Sequence, residues 1–234
     1  MEIVVIPHAE LSYERKDISC FKDFDWSKAT KADSVGFAQC WGFIETGMSV
    51  NEIALIYDLL EKFKPKNIVE LGRNYGCSTR IFLQHIIRNG GTLDSWDLKH
   101  WPGFIEIMAN NDYVFEQNGV PGEYIFKGEA TCRLRVAHSV RTPVPEYIDK
   151  EGVDFLLIDT EHGITNALPE YCRWREYLHS GSLVAFHDST LRGPKRAIEI
   201  VKEIEEADFS DRIIREYVNE RIDGFGVHVL EWKG

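Results

Sequence analysis

Asp159-Thr160-Glu161-His162 and His187-Asp188-Ser189 are the segments of this 234-residue chain whose side chains are best suited to chemistry. Each follows a run that reads as a buried parallel strand, Val153-Asp154-Phe155-Leu156-Leu157-Ile158 before the first and Ser182-Leu183-Val184-Ala185-Phe186 before the second. Neighbouring strands lie about 5 Å apart, so Asp159 and Asp188 are expected to converge on one small volume. Two carboxylates that close are unfavourable unless they share a proton or a cation. A hard divalent cation with oxygen ligands is the natural occupant. His187 has two readings. As a third ligand its imidazole favours a transition metal; alternatively it turns to the opposite face of the sheet, because adjacent strand residues alternate. The plainer role for both acids is to cap the helices that follow.

A second constellation lies upstream. Ile68-Val69-Glu70-Leu71-Gly72-Arg73-Asn74-Tyr75-Gly76-Cys77-Ser78-Thr79 reads as strand, glycine turn and helix start. Such a turn lets a ligand approach the backbone and sets it at a helix N-terminus, which points to a nucleotide-type cofactor beside Glu70, Gly72, Asn74, Gly76 and Ser78. Asp97 ends the next strand, and an acid there can accept both hydroxyls of a ribose.

The elements that must position these groups follow from periodicity. Ser49-Val50-Asn51-Glu52 resembles a capping box, opening an amphipathic helix with Ile53, Leu55, Ile56, Leu59 and Leu60 buried and Pro65 as its stop. Strands are expected at 67–71, 92–97, 124–127, 153–159, 182–186, 213–218 and 225–231, the last two as an antiparallel pair. Helices are expected at 102–117, 131–140, 164–178, with Gly181 as a stop signal, and 195–206. This alternation implies an α/β fold: a doubly wound, Rossmann-like, mostly parallel sheet with helices on both faces. Residues 1–48, with a strand-like Ile3-Val4-Val5-Ile6 and many aromatics, form an N-terminal extension or substrate cap, and 49–234 the main domain.

The spacing Glu70-x-Gly72-x-x-x-Gly76 departs from the dinucleotide pattern GxGxxG. It resembles the first motif of the class I S-adenosylmethionine (SAM)-dependent methyltransferases, a likeness that extends over residues 50–231. The resemblance implies SAM as cofactor, a seven-stranded sheet of order 3-2-1-4-5-7-6, and an adenine pocket at Gly128-Glu129-Ala130, so Glu129 and Ala130 join the cofactor residues, as does Asp159. Ile158-Asp159-Thr160-Glu161-His162 and Gly181-Ser182-Leu183-Val184-Ala185-Phe186-His187-Asp188 narrow it to the O-methyltransferases typified by macrolide-sugar and catechol enzymes. Thr160 and Ser182 stand where that branch usually carries glycine. In its metal-dependent members the matching acids hold magnesium. The resemblance therefore implies Asp159, Asp188 and His187 as the metal set and His162 as general base, with Asp159 also catalytic. A histidine titrating near neutrality suits that task.

Composition bounds the partners. Lys and Arg number 27 against 38 Asp and Glu, a net charge of −11 that disfavours nucleic acid. No apolar run has the length of a membrane span, and the five scattered cysteines fit free thiols in a reducing cytoplasm. A small-molecule hydroxyl acceptor, a sugar, glycosylated metabolite or catechol-like ring, is the expected partner, with a homo-oligomer left open. Its contacts are expected from residues 1–48, the loop 98–104, and Arg192, Lys195 and Arg196, while Trp101 either stacks on the cofactor's adenine or anchors its loop to the surface. The rival functions are a nucleotide-cofactor oxidoreductase and a non-catalytic SAM-binding scaffold.

Overall fold

The computed structural model describes residues 2–6, 48, 50–74, 76–100, 105, 113–126, 128, 130–207, 213–219 and 226–233. In chain order the elements are β1 (Glu2–Ile6), α1 (Val50–Phe63), β2 (Asn67–Leu71), α2 (Cys77–Asn89), β3 (Thr92–Asp97), β4 (Phe115–Gln117), β5 (Glu123–Phe126), β6 (Thr131–Val136), β7 (Val153–Ile158), α3 (Ile164–Trp174), β8 (Leu178–His187), α4 (Arg192–Ala207), β9 (Ile213–Asn219) and β10 (Val227–Trp232). They build one sheet of ten strands in the order β1-β9-β10-β8-β7-β2-β3-β6-β5-β4. Strands β6, β3, β2, β7 and β8 run parallel to one another. Strand β10 is antiparallel to β8 and β9, and β5 is antiparallel to β4 and β6. Strand β1 is parallel to β9, and the sheet is mixed, with ten strands where seven were expected.

The largest correction is at 131–140. Thr131-Cys132-Arg133-Leu134-Arg135 alternates polar and apolar residues, and Cys132 and Leu134 are buried while Arg133 and Arg135 are not. Period two belongs to a strand, so β6 lies beside β3 where the 124–127 strand was expected, and β5 pairs outside it. Of the expected helix 102–117, 115–117 is strand β4, and 102–104 and 106–112 lie outside the described residues. Strand β8 begins at Leu178 and runs through Gly181, whose positive φ of 93° sits in the strand rather than at a helix end. Its pairing with β7 shifts register between Val153 and Phe155.

Alternation along the central strands supplies two cores. Ile68, Phe155, Leu157, Leu183 and Ala185 face α1 and α2. Val69, Leu71, Leu156, Ile158, Val184 and Phe186 face α3 and α4. In α1 the stripe Ile53, Leu55, Ile56, Leu59 and Leu60 is buried as its periodicity predicts. Strand β1 pairs with β9 and so ties the start of the N-terminal extension to the sheet; the aromatics at 21–43 lie outside the described residues. Among the described residues no helix is long and apolar enough to cross a membrane.

Candidate active site

The carboxyl ends of β2, β3, β6, β7 and β8 open on a cavity of about 650 Å³, within the size range of small-molecule sites and at the place where open α/β sheets bind ligands. Its wall takes Gly72, Arg73, Asn74 and Ser78 from the turn after β2, residues 96–99, 137–139 and 159–162 after the next strands, Asn166 and Glu170 of α3, Met48, His187 and Asp188.

The glycine turn is fixed from three sides. Asp97 Oδ2 accepts the backbone N–H groups of Arg73 (3.0 Å) and Asn74 (3.1 Å). The Gly72 N–H donates to the Trp96 carbonyl at 2.7 Å. Gly72 has φ 85°, and a Cβ there would lie 1.9 Å from the Asp159 carbonyl oxygen. Glycine is thus required by the approach of the β7 loop as much as by any ligand. Gly76 caps α2 in the left-handed region at φ 83°. Asn74 also has positive φ, and its Oδ1 is buried without a hydrogen-bond partner.

Glu70 does not reach the cavity. It is fully buried and accepts hydroxyls from Ser78 (2.5 Å), Thr79 (2.7 Å) and Ser95 (2.5 Å). Burial pushes its carboxyl up to about 7 against the pull of those donors. Its work is to tie α2 to β2 and β3 beneath the turn. Ala130 is buried away from the wall, and Glu129 lies outside the described residues. Because β6 takes the place beside β3, the segment that faces the cavity there is 137–139.

At the other end, Asp159, His162 and Asp188 come together, with ligand-capable atoms all within 4.8 Å of one another. His162 Nε2 lies 2.6 Å from Asp188 Oδ2, and its side chain is 56% exposed, at the cavity mouth. Asp188 is buried and adopts φ 53°, a conformation uncommon outside Gly, Asn and Asp. Gly193 at the start of α4 holds this loop: a Cβ there would meet the His162 carbonyl oxygen at 2.2 Å.

His187 packs against two members of that trio. Its Nδ1 lies 2.9 Å from Asp159 Oδ1 and 3.2 Å from Asp188 Oδ2, while Nε2 is 3.4 Å from Glu52 Oε2. Burial alone would lower its pKa, but Asp159, Asp188 and Glu52 hold it well above the ordinary histidine value. His187 lines the same cavity wall as the two acids, its ring set between them and Glu52. The donor set facing the cavity fits a divalent cation. Burial, with Asp188 nearby, raises the Asp159 carboxyl above its usual range even though His187 opposes this, so the pair can accommodate further positive charge.

Three participants have contacts the sequence did not announce, Glu52 among them although it was expected as the acid of a capping box. Glu52 sits on the apolar stripe of α1, three and four residues before Leu55 and Ile56. Glu170 sits likewise between Ala167 and Tyr171 on α3; it accepts hydroxyls from Ser139 and, at 2.7 Å, Thr160, and burial pushes it up to about 7. An acid on a buried stripe is the signal in both cases. Thr160, where the resembling enzymes carry glycine, thereby anchors the loop that presents Asp159. Arg73 is buried, with Nη1 donating to the Ser95 carbonyl and Nη2 to the Arg135 carbonyl, both at 2.8 Å, joining β3 to β6 under the cavity. Of the expected acceptor contacts, Leu98 is 61% exposed on the cavity wall. Arg196 pairs with Glu199 at 3.0 Å on a solvated helix face, and Trp101 lies outside the described residues.

Residues 69–189 match the family model described as methyltransferase domain. An uncharacterized protein (y4gI) of Sinorhizobium fredii is 26% identical over 140 residues, 57% of this chain; the chain spans 14% of that relative's length. Among solved structures, the O-methyltransferase from Bacillus cereus in complex with SAH is similar at TM-score 0.52 and 16% identity, covering 93% of this chain and 94% of that one. A putative caffeoyl-CoA O-methyltransferase from Staphylococcus aureus gives TM-score 0.50 and 15% identity over 85% and 89%. MycE from the mycinamycin biosynthetic pathway, solved with Mg, SAH and mycinamycin VI, gives TM-score 0.50 and 12% identity over 95% and 63%. These likenesses concern the fold. The family match runs from within β2 to the residue after Asp188, the stretch that carries both the glycine turn and the paired acids, and this chain belongs to the methyltransferase domain family.

Proposed function

We propose that this protein is a SAM-dependent O-methyltransferase that methylates a hydroxyl of a small molecule with the help of a divalent cation. The observation that carries the reading is the convergence of Asp159, His162 and Asp188 on the same cavity that the Gly72 turn and Asp97 line. MycE in complex with Mg, SAH and mycinamycin VI and the SAH-bound Bacillus cereus enzyme share the fold and support the reading.

The residues fit the cofactor. The cavity has the right size, Asp97 lines it with a carboxylate of the kind that accepts ribose hydroxyls, and the buried, unpartnered Oδ1 of Asn74 is an acceptor suited to an ammonium group. When bound, SAM supplies an electrophilic methyl group, and a divalent cation supplies Lewis acidity toward the acceptor oxygen. Asp159 and Asp188 would hold the cation. Asp188 orients His162 through the 2.6 Å contact at Nε2, leaving Nδ1 to accept the hydroxyl proton. Most of the remaining help comes from positioning. The acceptor enters past His162, Glu161 and Asn166, a polar rim suited to a sugar, a glycosylated metabolite or a catechol-like ring.

The test is methyl transfer from labelled SAM to a panel of macrolides, free sugars and catechols, before and after chelation. Transfer to a hydroxyl acceptor, lost on chelation and in Asp159→Asn, is the expected result. Full activity after exhaustive chelation removes the cation from the account, and SAM binding with no transfer to any acceptor favours a non-catalytic scaffold.

A further inference from the structure

Glu170 is 2% exposed, yet it lines the cavity. A carboxylate taken out of water is costly unless donors surround it. Among the described residues its donors are two hydroxyls, Ser139 at Oε1 and Thr160 at Oε2; its charged neighbours are the acids Asp159 and Glu161, and no cation offsets it. A carboxylate has about four acceptor positions, so about two remain. The segment beside it is held in place. The Ala137 N–H donates to the Asp97 carbonyl at 2.8 Å, and the Trp174 indole N–H donates to the Ser139 carbonyl at 3.2 Å. His138 Nδ1 accepts the Val140 N–H at 3.2 Å, which leaves Nε2 as the donor of that ring. This stretch of the cavity wall therefore carries an acceptor, Glu170, and a donor, His138.

We propose that Glu170 is a specificity-determining residue for the methyl donor: its carboxylate accepts the exocyclic amine of the donor's base at the wall formed by residues 137–139. The proposal rests on the reading of the cavity as a SAM site. With the ribose hydroxyls at Asp97 and the methyl group toward Asp159 and Asp188, the wall left for the base is that of Leu98, Ala137, His138, Ser139 and Glu170. Leu98 is exposed there and offers an apolar face to a planar ring. Adenine presents an amine donor beside a ring-nitrogen acceptor, the complement of a carboxylate and an imidazole N–H. Hypoxanthine puts a carbonyl where the amine stands, and that oxygen then faces a carboxylate with no proton between them. A site built to hydrogen-bond a ligand's N–H rejects the analogue that lacks it, because its own buried group is left unpaired.

The experiment is calorimetric titration of the full chain with SAH and with S-inosyl-L-homocysteine, which carries a carbonyl in place of the amine. Wild type and Glu170→Gln are compared, with Tm measured in parallel. The wild type is expected to prefer SAH by at least about tenfold, the size of one hydrogen bond to a charged group. In Glu170→Gln the preference is expected to collapse toward parity, because the amide can turn its NH2 to the analogue's carbonyl as readily as its oxygen to the amine. A residue that only held Ser139 and Thr160 in place would weaken both ligands alike, so SAH binding with an unchanged ratio in the variant overturns the proposal alone. Failure of the wild type to bind either ligand sinks the methyl-donor reading and the proposal with it. Should Glu170→Gln not fold, the wild type decides: preference for SAH supports the proposal, and parity overturns it.

Discussion

Glu70 is ionised at neutral pH in a free chain, yet within the fold its carboxyl is pushed up to about 7 from an ordinary 4.5 by complete burial. Glu170 is raised to about 7 for the same reason. Between pH 4.5 and 7 the folded protein keeps protons on these acids that the unfolded chain has released. Stability therefore falls as pH rises through that window and levels off above it. His187, raised by its carboxylate neighbours, acts in the same direction at higher pH, where stability is lost as its folded-state pKa is passed. Glu70→Gln removes one of the two carboxyl contributions, so the decline of Tm from pH 4.5 to 7 should become shallower. An unchanged slope in thermal scans would show that Glu70 ionises as freely in the fold as out of it. The sequence made Glu70 visible as a motif residue but not its task, because Ser78, Thr79 and Ser95 surround it only once α2 and β3 have packed. Glu52 and Glu170 were hidden differently. Each is one acid in a helical stripe whose other members are apolar, and the same pattern at Glu205 is structural, held by the Tyr171 hydroxyl at 2.8 Å and by Arg175.

Among the elements, the turn between β2 and α2 carries the strictest demand. At Gly72 an added methyl would meet the Asp159 carbonyl at 1.9 Å in a left-handed backbone conformation. Strain of that kind costs about 1–3 kcal/mol before any clash is counted, and Tm falls by roughly 2–4 °C per kcal/mol in a chain of this size. Gly72→Ala should lower Tm by several degrees and displace Asp159, so that SAH binding and Mn2+ binding fail together; retention of both in calorimetry would contradict the packing described. The strands on either side of this turn were legible because β2 and β7 are apolar runs. Strand β6 was not, because Arg133 and Arg135 break the apolar run and its alternation covers only a few residues. Arg135 reveals what it does only in the sheet, pairing with Asp94 at 2.8 Å and Glu123 at 2.7 Å across the neighbouring strands. That one misread element moved the cavity-facing segment from 128–130 to 137–139.

At the scale of the whole molecule, the helix–sheet–helix layering was legible because it depends on where apolar residues recur, and recurrence survives errors in individual boundaries. The convergence of Asp159 and Asp188 was legible for the same reason: it needs only that β7 and β8 be parallel neighbours, as they are. The ten-strand width of the sheet was not, since β4 is three residues long and, like β6, lies where a helix was expected, whereas β5 was legible as the strand expected at 124–127. The fold places Asp159 and Asp188 in the wall of a cavity of about 650 Å³, and the central claim is that this cavity is a site for the methyl donor. A ligand at 100 times its Kd stabilises the folded state by about 2.7 kcal/mol, enough to read as a shift in Tm as well as directly as heat. The most direct measurement is calorimetric titration of the wild type and Asp97→Ala with SAH, and with NAD in parallel. The account predicts saturable SAH binding in the wild type, strongly weakened in Asp97→Ala, and no binding of NAD. NAD binding in place of SAH would contradict it.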